Sequence, residues 1–130
     1  MRVLIVDDSP EMRTIVATVL EAVGFEVDQA KDGLDGLSQY IASEPDMIIT
    51  DINMPFMDGL AFVERVREEP DGGRIPIFVM SSDGCPAKRA RADRCGVRQW
   101  MEKPVNVSAM ASALMQAAAI PHAPGSIQAA

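Results

Sequence analysis

At 130 residues the chain has the length of one ordinary domain with a single core. A net charge of −7 and a pI of about 4.6 exclude the basic footprint that nucleic-acid binding needs to displace phosphate counterions. The apolar run 3–6 breaks into acid at Asp7-Asp8, too early for a signal-peptide core or a membrane span. The expectation is therefore a cytoplasmic protein without nucleic-acid or membrane partners. Cys85 and Cys95 fit no metal spacing and read as reduced thiols.

Strand and helix patterns alternate five times, the signature of a parallel sheet covered on both faces. The run 3–6 is the first strand. Ser9-Pro10 reads as N-cap and first helical residue, and Met12, Ile15, Val16, Val19, Leu20 and Val23 recur at helical spacing up to Gly24. Residues 25–30 alternate weakly as a second strand, and Leu34, Leu37, Tyr40 and Ile41 mark a second helix before Pro45. The third strand is 47–51. After the loop 52–59, Leu60, Val63 and Val66 mark a third helix, and Asp71-Gly72-Gly73 is a turn. The fourth strand covers 76–81, and a fourth helix covers 86–95 and stops at Gly96. A fifth strand covers 97–101, and an alanine-rich helix from about 107 to 119 follows, with Asn106 as its N-cap.

Strands one, three and four are almost continuously apolar, as central parallel strands buried on both faces must be. Strand two carries Glu26, Asp28 and Gln29, and strand five carries Arg98 and Gln99, so both read as edges. The fold class that follows is α/β, a doubly wound five-stranded parallel sheet of order 2-1-3-4-5, flavodoxin-like, with five helices. One domain over 1–120 is expected. Residues 121–130 hold two prolines and a glycine and read as a disordered tail, in which His122 is a poor ligand candidate.

Each apolar run ends on a reactive group: the first on Asp7-Asp8, the third on Asp51, the fourth on Ser81 and the fifth on Lys103. In a parallel sheet these ends share one edge, where open α/β sheets bind ligands. Taken singly, Asp7-Asp8 also fits a solvated loop start, and Lys103 fits a surface lysine beside a turn proline. Asp51 is harder to dismiss, because an acid closing a buried strand needs a partner. Two unit charges about 4 Å apart interact by roughly 4 kcal/mol at an effective dielectric of 20, so clustered carboxylates repel strongly without a cation or Lys103 nearby.

The set Asp7-Asp8, the run Asp51-Ile52-Asn53-Met54-Pro55-Phe56-Met57-Asp58-Gly59, Ser81 and Lys103-Pro104 resembles the receiver domains of two-component response regulators, most closely the single-domain CheY-like chemotaxis type. The resemblance implies a phosphorylation-gated receiver that accepts a phosphoryl group on Asp51 from a histidine kinase or phosphotransfer protein. It implies Mg²⁺, or Mn²⁺, on Asp7, Asp8, Asp51 and the backbone carbonyl of Asn53, with Ser81 and Lys103 binding the phosphoryl group. Asn53, Ser82 and Asp83 would tune hydrolysis; Ser82 is bulkier than the Ala or Gly often found there. Ser81 and Trp100 would form the switch, Trp100 standing where the family commonly has Tyr or Phe. Output would be contact with a downstream protein through helix four, strand five and helix five, without enzymatic turnover beyond self-phosphorylation from small donors and slow self-dephosphorylation. A phosphorelay shuttle without chemotaxis output would look alike.

Two other classes fit less well. A Mg²⁺-dependent phosphatase with an Asp nucleophile uses an Asp-x-Asp pair after the first strand, whereas here the acids are adjacent. FMN binding needs a Ser/Thr/Gly-rich phosphate loop there, and Asp7-Asp8-Ser9-Pro10 would repel that phosphate. Lys88, Arg89, Arg91 and Arg94 read either as a solvated helix surface or as a contact patch for an acidic partner.

Overall fold

The computed structural model describes residues 1–119. The boundary expected at residue 120, the tail over 121–130 and His122 lie outside the described residues. Five strands and five helices alternate: β1 (Arg2–Val6), α1 (Pro10–Ala22), β2 (Glu26–Ala30), α2 (Gly33–Ser43), β3 (Met47–Asp51), α3 (Gly59–Glu68), β4 (Ile77–Ser81), α4 (Pro86–Arg94), β5 (Gln99–Glu102) and α5 (Val107–Ala119). The strands are all parallel, in the order β2-β1-β3-β4-β5.

This is the expected order, and strand polarity accounts for it. Every residue of β3 and β4 is buried, and β1 is buried after Arg2, whereas β2 and β5 are largely open to solvent. Because strand side chains alternate between faces, the central strands feed two cores. Val3, Ile5, Met47, Ile49, Phe78 and Met80 pack with α1 and α5 residues such as Leu20 and Leu114. Leu4, Val6, Ile48 and Ile77 pack on the other face with Tyr40, Phe62, Val63 and Val66. Both faces of the sheet are therefore covered by helices.

Local differences from the sequence reading have physical causes. Ile15, Leu34 and Ile41 fit the helical period yet are 51%, 52% and 65% exposed, because the buried arc of each helix is narrower than its apolar stripe. β5 starts at Gln99 rather than residue 97: the Val97 amide caps α4 by donating to the Ala92 carbonyl. No helix among the described residues is long and apolar enough to cross a membrane.

Candidate functional site

Strand register sets the floor of the site. Val6 lies across from Thr50, so one step on, Asp7 faces Asp51 at the carboxyl ends of β1 and β3. Asp7 is fully buried and Asp51 nearly so, while Asp8 is exposed. The Asp7 Oδ1 accepts the Ser9 amide at 2.9 Å, but its buried Oδ2 has no hydrogen-bond donor among the described residues. Lys103 reaches in from the loop after β5, its Nζ 2.9 Å from Asp51 Oδ2 and 3.6 Å from Asp7 Oδ2. The other Asp51 oxygen accepts the Ile52 amide at 2.7 Å.

Burial pushes the Asp7 carboxyl above the ordinary carboxylate range; the Ser9 amide and Lys103 resist, and the charges of Asp51 and Asp8 add to the rise. For Lys103 burial pulls the pKa down, but the hydrogen bond to Asp51 and the charges of Asp51 and Asp7 outweigh it and hold the ammonium above its usual value. The ammonium thus stays charged among the acids it neutralises.

Local sequence builds these loops. Ser9 caps α1, its Oγ accepting the Met12 amide at 3.2 Å, and Pro10 takes the first helical position, where no N–H is needed. Asp58 caps α3 through the Ala61 amide at 2.8 Å. Gly59 then donates to the Ile52 carbonyl at 2.7 Å, and a Cβ there would lie 1.8 Å from the Asp51 carbonyl oxygen, so only glycine lets α3 start against the end of β3. Phe56 adopts φ 69° and is 84% exposed at the tip of the same loop. The Lys103–Pro104 peptide bond is cis.

Ser81, buried at the end of β4, accepts the Asp83 amide on its Oγ at 2.9 Å. Ser82 is exposed. Asp83 and Asn53 stand at the rim, where Lys88 meets both: Nζ lies 2.6 Å from Asp83 Oδ2 and 3.4 Å from Asn53 Oδ1. Among the described residues nothing donates to the Asn53 backbone carbonyl. Trp100, opposite Val79 in the β4–β5 register, packs against the cluster of Ile52, Leu60, Val79 and Ala92. Its Nε1 is buried without a partner among the described residues, and the Arg89 guanidinium sits 5.0 Å from the ring centroid. The indole is thus already packed beneath α4 rather than lying in solvent.

The expected residues Asp7, Asp8, Asp51, Asn53, Ser81, Asp83 and Lys103 all converge on the carboxyl edge of the sheet, and Ser82 and Trp100 flank it. Two residues were not legible as site members. Arg13 donates to the Asp7 carbonyl oxygen at 2.6 Å, and Lys88 comes from a basic cluster that the fold divides among separate partners. Arg91 pairs with Glu64 and Arg89 covers Trp100, so the cluster is no single patch.

The acidic set fits a divalent cation. One oxygen from each of Asp7, Asp8 and Asp51 lies within 4.8 Å of the others, and the buried Asp7 Oδ2, 3.6 Å from Lys103 Nζ, lacks a hydrogen-bond donor among the described residues. A hard ion with oxygen ligands would satisfy it and relieve the repulsion.

A family model for the response regulator receiver domain matches residues 3–115. Chemotaxis protein CheY1 of Helicobacter pylori is 36% identical over 106 residues, covering 80% of this chain and 86% of that protein. Sensor protein EvgS of Escherichia coli K12 is 30% identical over 122 residues, 94% of this chain but only 10% of the sensor. Thus the chain spans about a tenth of the length of some curated relatives it matches. The solved structure of chemotaxis response regulator CheY4 of Vibrio cholerae superposes with a TM-score of 0.82 at 34% identity, covering 88% of this chain and 96% of that one.

Proposed function

From the premise that the chain belongs to the response regulator receiver family of two-component signalling, we propose that it is a phosphorylation-gated receiver with Asp51 as phosphoacceptor. The observation that carries this is the buried Asp51 carboxylate, gripped by Lys103 and faced by Asp7 and Asp8 at the sheet edge. The donor is a phosphohistidine of a histidine kinase or phosphotransfer protein. An Asp51 carboxylate oxygen bonds to phosphorus as the P–N bond breaks, and the electron pair stays on the imidazole, leaving an acyl phosphate.

Asp7, Asp8, Asp51 and the Asn53 carbonyl would hold Mg²⁺, or Mn²⁺, which when bound neutralises charge on the phosphoryl oxygens. Lys103 supplies fixed positive charge on the other side, and the Ser81 hydroxyl is free to donate to the phosphoryl group while it accepts from Asp83. The protein is an acceptor in the cytoplasm rather than a turnover enzyme. Its output is contact with a downstream protein through α4, β5 and α5. Ser81 and Trp100 are the switch, two packings whose populations the phosphoryl group shifts.

The test is uptake from acetyl phosphate. Intact-mass measurement should find one added phosphoryl with Mg²⁺ and none with EDTA, and beryllofluoride-treated protein should retain a partner that untreated protein does not. Equal uptake with EDTA would contradict the metal-dependent reading.

A further inference from the structure

Depth separates two tiers of residues around Asp51. Asp51 and Ser81 are buried on the floor. Two positions further along each loop, Asn53 and Asp83 stand at the rim, one exposed and one half-buried. Lys88, in the first turn of α4, bridges this rim through Nζ contacts of 2.6 Å to Asp83 and 3.4 Å to Asn53. Asp83 is itself fixed at both ends, since its amide donates to Ser81 Oγ and its Oδ1 accepts the Cys85 amide, each at 2.9 Å. A lysine held this way does not wander as a free surface side chain would.

We propose that Lys88 is a latch across the mouth of the phosphoacceptor site, tying Asp83 to Asn53 and prolonging the life of the Asp51 acyl phosphate by hindering water. This rests on the phosphoacceptor reading above. In hydrolysis a water oxygen bonds to phosphorus as the P–O bond to Asp51 breaks. The bonding pair leaves with the Asp51 carboxylate, and the water's proton ends on inorganic phosphate. Attacking and leaving oxygens lie roughly in line. With Asp51 on the floor, water must come from the rim side, where Asn53, Asp83 and Lys88 meet.

The experiment loads full-length protein with acetyl phosphate and Mg²⁺, removes the donor and follows phosphate release. Lys88→Met keeps the stem and drops the charge; release should quicken about two- to fivefold, the rate equivalent of losing one exposed ion pair. Lys88→Arg should restore the slow rate, which a merely structural role for the stem would not require. Asp83→Ala should match Lys88→Met, and the double variant should be no faster than either, because both remove one contact. Unchanged or slower release in Lys88→Met overturns the latch alone. Failure of the unmutated protein to take up phosphoryl overturns the phosphoacceptor reading, and the latch with it.

Discussion

Asp7 lies fully buried at the end of β1 with one carboxylate oxygen lacking a donor, and burial holds its pKa above the ordinary range. The folded state therefore binds this proton more tightly than the unfolded chain does. It follows that Asp7 costs no stability below its unfolded value near 3.8 and progressively more as pH rises toward the raised folded value. Without metal, Asp7→Asn should melt higher than the unmutated protein at neutral pH, and the difference should shrink as pH falls through that window. Mg²⁺ should raise the unmutated protein's Tm more than the variant's, because a ligand that binds only the folded state stabilises by mass action. An Asn variant that melts lower at pH 7 in EDTA would contradict this account of the pocket. The acidic cluster was legible in the sequence, since four runs ended on charged or hydroxyl groups. The Arg13 contact to the Asp7 carbonyl was not, because helix phase alone does not say which side chain bends back over a strand end.

α4 differs from the other helices in what holds it. Only Ala92 is buried, and the ties are polar: Arg91 to Glu64 on α3, Lys88 to Asp83, and the Arg67 guanidinium on the Cys95 and Gly96 carbonyls. An element with little apolar burial opens at low cost, which suits the output surface proposed above. The Arg91 hydrogen bond holds the Glu64 carboxyl below its ordinary value. That pairing stabilises the fold above the unfolded value near 4.5, and the contribution is lost as pH falls through the lowered folded value. Glu64→Gln should cost about 0.2–1 kcal/mol at neutral pH, the range of solvent-screened surface pairs, and hydrogen exchange in α4 should quicken. Equal melting and exchange in the two proteins at low salt would remove the tie from the account. Helix four itself was readable from Pro86 and Gly96, but its partners were not: Glu64 and Arg91 stand 27 residues apart, and no periodicity links them. Trp100 was readable as a switch candidate only by resemblance, and its packing against Ala92 with Arg89 over the ring emerged from tertiary structure.

At the scale of the whole molecule, one rule connects fold to chemistry. Central strands buried on both faces must be apolar, so their polar residues are pushed to the ends, and parallel pairing gathers those ends at one edge. The strand order was legible because polarity falls unevenly, with Glu26, Asp28 and Gln29 on β2 against none in the fully buried part of β1. Asp51 alone closes a strand buried throughout and also touches the site's ammonium. Borohydride trapping of acetyl phosphate-treated protein, followed by peptide mass mapping, tests that assignment directly, because hydride reduces an aspartyl phosphate to homoserine. Homoserine should appear at position 51, and Asp51→Asn should take up no phosphoryl group; homoserine at Asp7 or Asp8, or undiminished uptake by the variant, would contradict the assignment.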